Sequence, residues 1–375
     1  MDNQKLNEKS FKTINVNNKD NHYDKSKSKL ILNKYYVSVS LILLFSTFLV
    51  ILKIYKKNNS INNCYKLSTS EIYEYDDEDK EFNELTIQKY FYNQNFFCIN
   101  KEIFYNSLYE KKIEIKNAVF EDINLKMFIY KKTDGVSINI SKNKIWERKE
   151  TKSILSALNY FSVKKNILKN DIFILDVGAN IGWYSLILGK RGYNIVSFEP
   201  SKINYYILLK NYCLNKDIKV TIINKGLDNE LNNCTLYHPS NNIGDAIIIK
   251  DQQNIDFNYY EKEVIKLTKL DNYLTFLCKK NLALIKLDIE GSESKALESG
   301  YDLISKYNIP FIFMEWSLYL MKKRGTDPKS LLEMLEKNGY KFSRENFLSK
   351  KYCSINEFLN IPNTNIYIVY SKFLE

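Results

Sequence analysis

An α/β fold with a doubly wound, mostly parallel sheet is what this 375-residue sequence predicts, and three observations carry that reading. From Asn170 onward, short apolar runs alternate with stretches of helical spacing, the pattern of successive strand–helix–strand units. The run Ile172–Leu175 leads directly into "DVGANIG", placing Gly178 and Gly182 four apart in a chain that holds only eleven glycines. Acids close three of the predicted strands: Asp176 the first, Glu199 the second in "NIVSFEP", and Asp288 the fourth in "ALIKLDIEGSE". In a Rossmann-like sheet of this kind, ligands bind at the carboxyl ends of the strands, beside the switch in strand order.

Residues 1–34 are polar, rich in Asn and Lys, and too poor in apolar side chains to pack, which predicts a disordered tail. Tyr35–Leu52 is eighteen residues without a charge, enough to cross a bilayer core as a helix, with tyrosines and lysines at its ends. A cleaved signal peptide begins near the chain start with a shorter apolar core. A run that follows 34 mostly polar residues instead predicts a single-pass transmembrane signal anchor over 35–55. Lysines flank the run on both sides, so the positive-inside rule does not orient it. A short tail before one span and the bulk after it favours a lumenal, endomembrane placement of the remainder. Sequons at Asn58, Asn139 and Asn233 decide nothing in so Asn-rich a chain.

Residues 56–87 read as a polar stem ending in the acidic run "EYDDEDKE". Residues 88–150, with "KKIEIKNAVF" and "LKMFIYKK", read as a β-rich extension packed on the main domain, 151–375. Within that domain the strands fall at Ile172–Leu175, Asn194–Phe198, Lys219–Asn224, Leu282–Leu287, Phe311–Glu315 and Asn365–Tyr370. Helices fill Trp183–Arg191, Lys202–Leu214, Ser292–Lys306 and Pro328–Asn338. The net charge of +11 is spread throughout with no basic cluster in the C-terminal half, so no nucleic-acid partner is expected. The cysteines at 64, 98, 213, 234, 278 and 353 show neither CxxC nor metal spacing; buried thiols are the default, with one or two disulfides open to a lumenal domain.

The glycine turn raises a choice of cofactor. A nicotinamide dinucleotide wants G-x-G-x-x-G, but Asn180 occupies the second glycine's place. An acid at the end of the first strand repels a pyrophosphate and suits the cationic methionine portion of S-adenosylmethionine. Glu199, seventeen residues past Gly182, stands where a second-strand carboxylate can grip ribose hydroxyls. A nicotinamide-dependent reductase is the alternative enzyme class, and a methyltransferase-like membrane module without activity the alternative to an enzyme.

Over about residues 115–371, "DVGANIGWYS", "SFEP", "LTKLDNYL", "IKLDIEGSESKALESG" and "PFIFMEWS" resemble the FkbM-type methyltransferase family in order and spacing, and "DGVSINISKNKIWE" resembles the segment that precedes its domain. The resemblance implies a class I, S-adenosylmethionine-dependent enzyme that methylates a hydroxyl of a small molecule or glycan. It places Asp176, Gly178, Ala179, Asn180 and Gly182 around the methionine portion, Glu199 at the ribose, and Asp228 near the adenine, where a plain turn aspartate is an equal reading. Asp288 and Glu290, alternating on an extended segment with Lys286 behind them, face one pocket. Asp288 is expected to deprotonate or orient the acceptor hydroxyl, with Glu290 second; the competing role for either is to cap a helix from Ser292. Glu315, Trp316, Trp146 and Glu147 are further candidates for the substrate side, the tryptophans more simply as core. His238 is a lone loop histidine and His22 lies in the tail. No metal is expected, since Asp288 and Glu290 have no evident third ligand.

Overall fold

The computed structural model describes residues 84–100, 107–131, 134–230, 234–239, 246–248 and 259–375. The tail at 1–34, the apolar run Tyr35–Leu52 and nearly all of the stem at 56–87 lie outside the described residues. Among the described residues, no helix is long and apolar enough to cross a membrane.

Helix α1 (Glu84–Ile99) comes first, then α2 (Ser107–Lys112) and an antiparallel hairpin of β1 (Ile113–Phe120) and β2 (Ile123–Tyr130). Helices α3 (Gly135–Asn143) and α4 (Arg148–Lys165) lead into the main sheet. Its first half is β3 (Ile172–Val177), α5 (Trp183–Lys190), β4 (Asn194–Phe198), α6 (Lys202–Leu214) and β5 (Lys219–Ile223). Short β6 (Gly226–Leu227) precedes a small antiparallel sheet of β7 (Cys234–Pro239), β8 (Ile247–Ile248) and β9 (Tyr259–Ile265), and β10 (Leu267–Thr268) pairs back with β6. The second half is β11 (Asn281–Leu287), α7 (Glu293–Glu298), α8 (Tyr301–Tyr307), β12 (Phe311–Ser317), α9 (Leu318–Lys323), α10 (Pro328–Lys337), β13 (Tyr340–Ser343) and β14 (Asn363–Tyr370).

The seven-stranded sheet runs β13-β14-β12-β11-β3-β4-β5. Neighbours from β12 to β5 are parallel, while β14 runs antiparallel to both β12 and β13. The expected α/β fold with a mostly parallel sheet is therefore present. Its central strands are apolar on both faces because helices cover both; in β11 every residue after Asn281 is buried. The six predicted strands all form, β3 and β12 each running two residues further than read, to Val177 and Ser317.

Three readings need correction. Among the described residues of the 88–150 extension, only those within 113–130 are β; its start is α1, and α3 and α4 follow the hairpin. The aromatic run in α1 suits a strand by propensity, but the tertiary site decides: the buried Gln94 donates to Val220 O at 2.8 Å and accepts from Ile222 N at 2.8 Å, satisfying the open edge of β5. The domain boundary at 150/151 falls inside α4, and the stem's end at 87 inside α1. Finally, the helix predicted over Ser292–Lys306 breaks into α7 and α8. Gly300 packs too closely on Leu270 to carry a Cβ, and Asp271 accepts from Asp302 N and Leu303 N, capping α8 from outside the helix.

A disulfide, Cys98–Cys213, ties α1 to α6. Asn211 of α6 bonds both backbone groups of Phe128, holding β2 against the same helix. These contacts fasten the N-terminal elements to the half of the sheet that carries Glu199.

Candidate active site

Strand order switches between β3 and β11: from β3 the chain builds outward through β4 and β5, and from β11 through β12. The crevice at this switch is lined by Gly178, Asn180, Glu199, Asp288, Glu290 and Glu315, with Glu147 and Trp146 from the start of α4. Leu236, Ala246 and Ile248 from the small sheet close another side of it.

The loop after β3 crosses the loop after β11 at contact distance. Gly178 has φ +76°, and a Cβ there would run into the Asp288 carbonyl oxygen, so both conformation and space require glycine. Gly182, at φ +97°, opens α5, where a Cβ would meet Leu208. Between them Asn180, itself left-handed at φ +50°, donates its N–H to Glu199 Oε2 at 2.7 Å. Asn180 Oδ1 is buried without a hydrogen-bond partner, an acceptor awaiting a donor on the cleft side.

Lys286 clamps this crossing. The residue is 3 % exposed, and its ammonium donates to Gly178 O at 2.9 Å and lies 3.5 Å from Asp176 and 3.6 Å from Asp288. Burial opposes its charge, but Asp288, Asp176 and Glu147 outweigh that and hold it above the usual lysine range. Asp176 also accepts from Ser185 Oγ at 2.5 Å. Asp176, Ala179 and Gly182 do not line the cleft; they shape the loop from beneath.

Glu199 is buried, with Asn180 N, Ser201 N and the Asn204 amide as donors, yet burial pushes its carboxyl up to about 7. Its oxygens keep lone pairs for further donors. Asp228 is not among the residues that line the cleft; its carboxylate accepts from Glu230 N at 3.0 Å, which is the turn reading of the two.

Asp288 and Glu290 do face one cleft, but not by alternation on an extended segment. The chain turns there, with left-handed Glu290 (φ +54°) and Gly291 (φ +90°). Neither acid caps α7. Glu293 bonds the turn instead, accepting from Ile289 N at 3.0 Å and Gly291 N at 3.3 Å. The expectation that no third acid joins them is also corrected: one oxygen each of Asp288, Glu290 and Glu315 lie within 4.8 Å of one another. Such spacing suits a bridging cation or carboxyls that share a proton. Burial, then Asp288 and Glu293, push the Glu315 carboxyl up to about 9, so at neutral pH it keeps its proton and relieves the repulsion. Trp316 turns from the cleft into the core, its indole N–H donating to Phe358 O. His238 is no lone loop residue; it lies in β7 and pairs with Glu263 of β9 at 2.8 Å.

Residues 176–342 match the methyltransferase FkbM domain. That segment is similar to this family, and it holds Asp176, Gly178, Glu199, Asp288 and Glu315. The methyltransferase sdnD of Sordaria araneosa is 33% identical over 103 residues, 26% of this chain and 38% of that protein, so the match spans well under half of the relative. Among solved structures, the bifunctional kinase-methyltransferase WbdD is 12% identical with a TM-score of 0.35, over 59% of this chain and 39% of that one. The T. thermophilus 16S rRNA methyltransferase RsmC, in complex with AdoMet and guanosine, is 12% identical with a TM-score of 0.33, over 69% and 50%.

Several residues of this cleft carry no signal in the sequence. Arg324 reaches Glu290 O and Ile248 O from the end of α9, and Leu236 and Ile248 arrive with the small sheet. Asp134 was detectable: it accepts from Ser137 N at 2.7 Å, an N-cap legible in "DGVS".

Proposed function

We propose that the chain is an S-adenosylmethionine-dependent O-methyltransferase acting on a hydroxyl of a small molecule or glycan, anchored to a membrane through Tyr35–Leu52. The observation that carries this is the crossing of the Gly178 and Asp288 loops under the Lys286 clamp, with Glu199 beside it. It makes one cleft that is glycine-floored at its centre and acidic on both flanks.

The residues fit that cofactor. Gly178 leaves a cradle that a Cβ would fill, Asn180 offers an orphaned buried acceptor, and Glu199 has spare lone pairs for paired hydroxyl donors. When bound, the cofactor supplies an electrophilic methyl group carried on a sulfonium. Asn180 and Glu199 hold it, Asp288 and Glu290 orient the acceptor hydroxyl, and Leu236, Ala246 and Ile248 exclude water. A nicotinamide dinucleotide fits less well, because Asn180 stands where its fingerprint has a second glycine and the cleft is lined by Glu147, Glu199, Asp288 and Glu290, which suit a cation better than a pyrophosphate. The Cys98–Cys213 disulfide supports a lumenal, oxidising location for the domain.

Titration calorimetry with each cofactor tests the reading, followed by mass spectrometry of an extract incubated with methyl-labelled S-adenosylmethionine. Binding of the nicotinamide and not of S-adenosylmethionine rejects it.

A further inference from the structure

We propose that Glu147, at the start of α4, is the base that accepts the proton of the acceptor hydroxyl, while Asp288 orients that hydroxyl. This rests on the methyl-transfer reading above. Glu147 lines the same cleft as Asp288, Glu290 and Glu315. Its carboxyl is fixed in place, since the Tyr184 hydroxyl donates to Oε2 at 2.5 Å, leaving Oε1 to take up a proton. The backbone at Glu147 is left-handed, φ +37° and ψ 56°, an uncommon and costly conformation for a non-glycine residue. The first turn of α4 holds it there: Thr151 N donates to Glu147 O at 2.9 Å and Thr151 Oγ1 at 2.8 Å, while the Trp183 indole N–H donates to Thr151 Oγ1. Held at the N-cap of α4 by these bonds, the residue has a fixed backbone from which its side chain reaches the cleft.

The other acids of the cleft suit the role less. Asp288 lies 3.6 Å from the Lys286 ammonium, which engages its carboxylate and holds it in place to orient the acceptor. Glu315 keeps its proton at neutral pH and serves as a donor. Around Glu147, Tyr184 of α5 and Lys286 of β11 favour the carboxylate. Asp288 and Glu150 of α4 have the opposite effect, while Glu315 of β12 and Tyr367 of β14, also within its electrostatic reach, are uncharged at neutral pH. Burial first, then Asp288, push its carboxyl up to about 7, where it is both available and basic. In the step, the hydroxyl proton moves to Glu147 Oε1. The oxygen pair thus released forms the new bond to the methyl carbon, and the pair of the broken sulfur–carbon bond stays on sulfur. Atoms and charge balance without a further reactant.

Glu147→Gln tests this in the full chain, with single-turnover transfer of labelled methyl to the extract fraction in which the unaltered chain deposits label. Turnover is expected to fall by ~10²- to 10⁴-fold with cofactor affinity, by calorimetry, within a few-fold. In the unaltered chain the rate is expected to rise with pH through about 7 as Glu147 ionises. Tyr184→Phe removes a donor that favours the carboxylate, so that rise moves to higher pH. A readout independent of turnover is carboxyl carbon-13 NMR of the cofactor-free chain, where a resonance absent from the Glu147→Gln protein should titrate near 7. Full turnover in Glu147→Gln, equal loss of cofactor affinity, or a Glu147 resonance titrating in the ordinary carboxylate range overturns the assignment. A chain that binds no cofactor rejects the methyl-transfer reading instead, which keeps the two failures apart.

Discussion

At Gly178 a single hydrogen atom separates a working crevice from a blocked one. A side chain there would need a left-handed backbone and would displace the Asp288 carbonyl that the opposite loop presents. Gly178→Val should therefore abolish S-adenosylmethionine binding while thermal melts stay cooperative, and unchanged affinity by calorimetry would remove the loop from the binding site. Glu199 adds a pH test. Its carboxyl is raised to about 7 in the fold, so the cofactor-free protein gains stability from it below the ordinary carboxylate range and loses that gain as pH rises through about 7. Hydroxyl donors favour the charged form, so cofactor affinity should rise with pH up to about 7 and then level, with a proton released on binding; Glu199→Gln should flatten the profile. These residues were legible because they sit in contiguous motifs at strand ends. Glu315 was legible as a substrate-side candidate but not as the third acid beside Asp288 and Glu290, and Arg324 was not legible at all, because both placements depend on which strands and helices become neighbours.

Elements were legible where periodicity and packing agree. The central strands are apolar runs bounded by acids and glycines, and the fold buries them as read. In α1, aromatic composition pointed to strand while the tertiary site chose helix, because Gln94 and Cys98 reach their partners from a helix laid along β5 and α6. The pairing of Cys98 with Cys213, 115 residues apart, leaves no trace in spacing. Reducing it, or Cys213→Ser, should destabilise the domain by roughly 2–5 kcal/mol, because the crosslink closes a long loop in the unfolded chain. α1 is expected to detach first, exposing the edge of β5. Thermal melts with and without reductant, together with hydrogen exchange at Val220 and Ile222, read this directly. Equal melting temperatures would mean that Gln94 and the packing of α1 suffice without the crosslink.

For the molecule as a whole, the question is where the acidic cleft works. The described domain begins with α1 at Glu84, and the eighteen-residue apolar run ends at Leu52, so about 30 residues of polar chain join the two. The disulfide bears on orientation where the flanking lysines do not. A crosslink between α1 and α6 persists in an oxidising lumen and is reduced in the cytosol, so a lumenal domain should carry it quantitatively. Full-length protein is expected to resist carbonate extraction, and a chain lacking residues 1–57 to be recovered without detergent. In sealed microsomes, a membrane-impermeant thiol reagent applied after mild reduction should label Cys98 and Cys213 only once the vesicles are opened. Labelling in intact vesicles would place the domain in the cytosol. Release of the full-length chain by carbonate would remove the anchor altogether, without touching the assignment of the cleft.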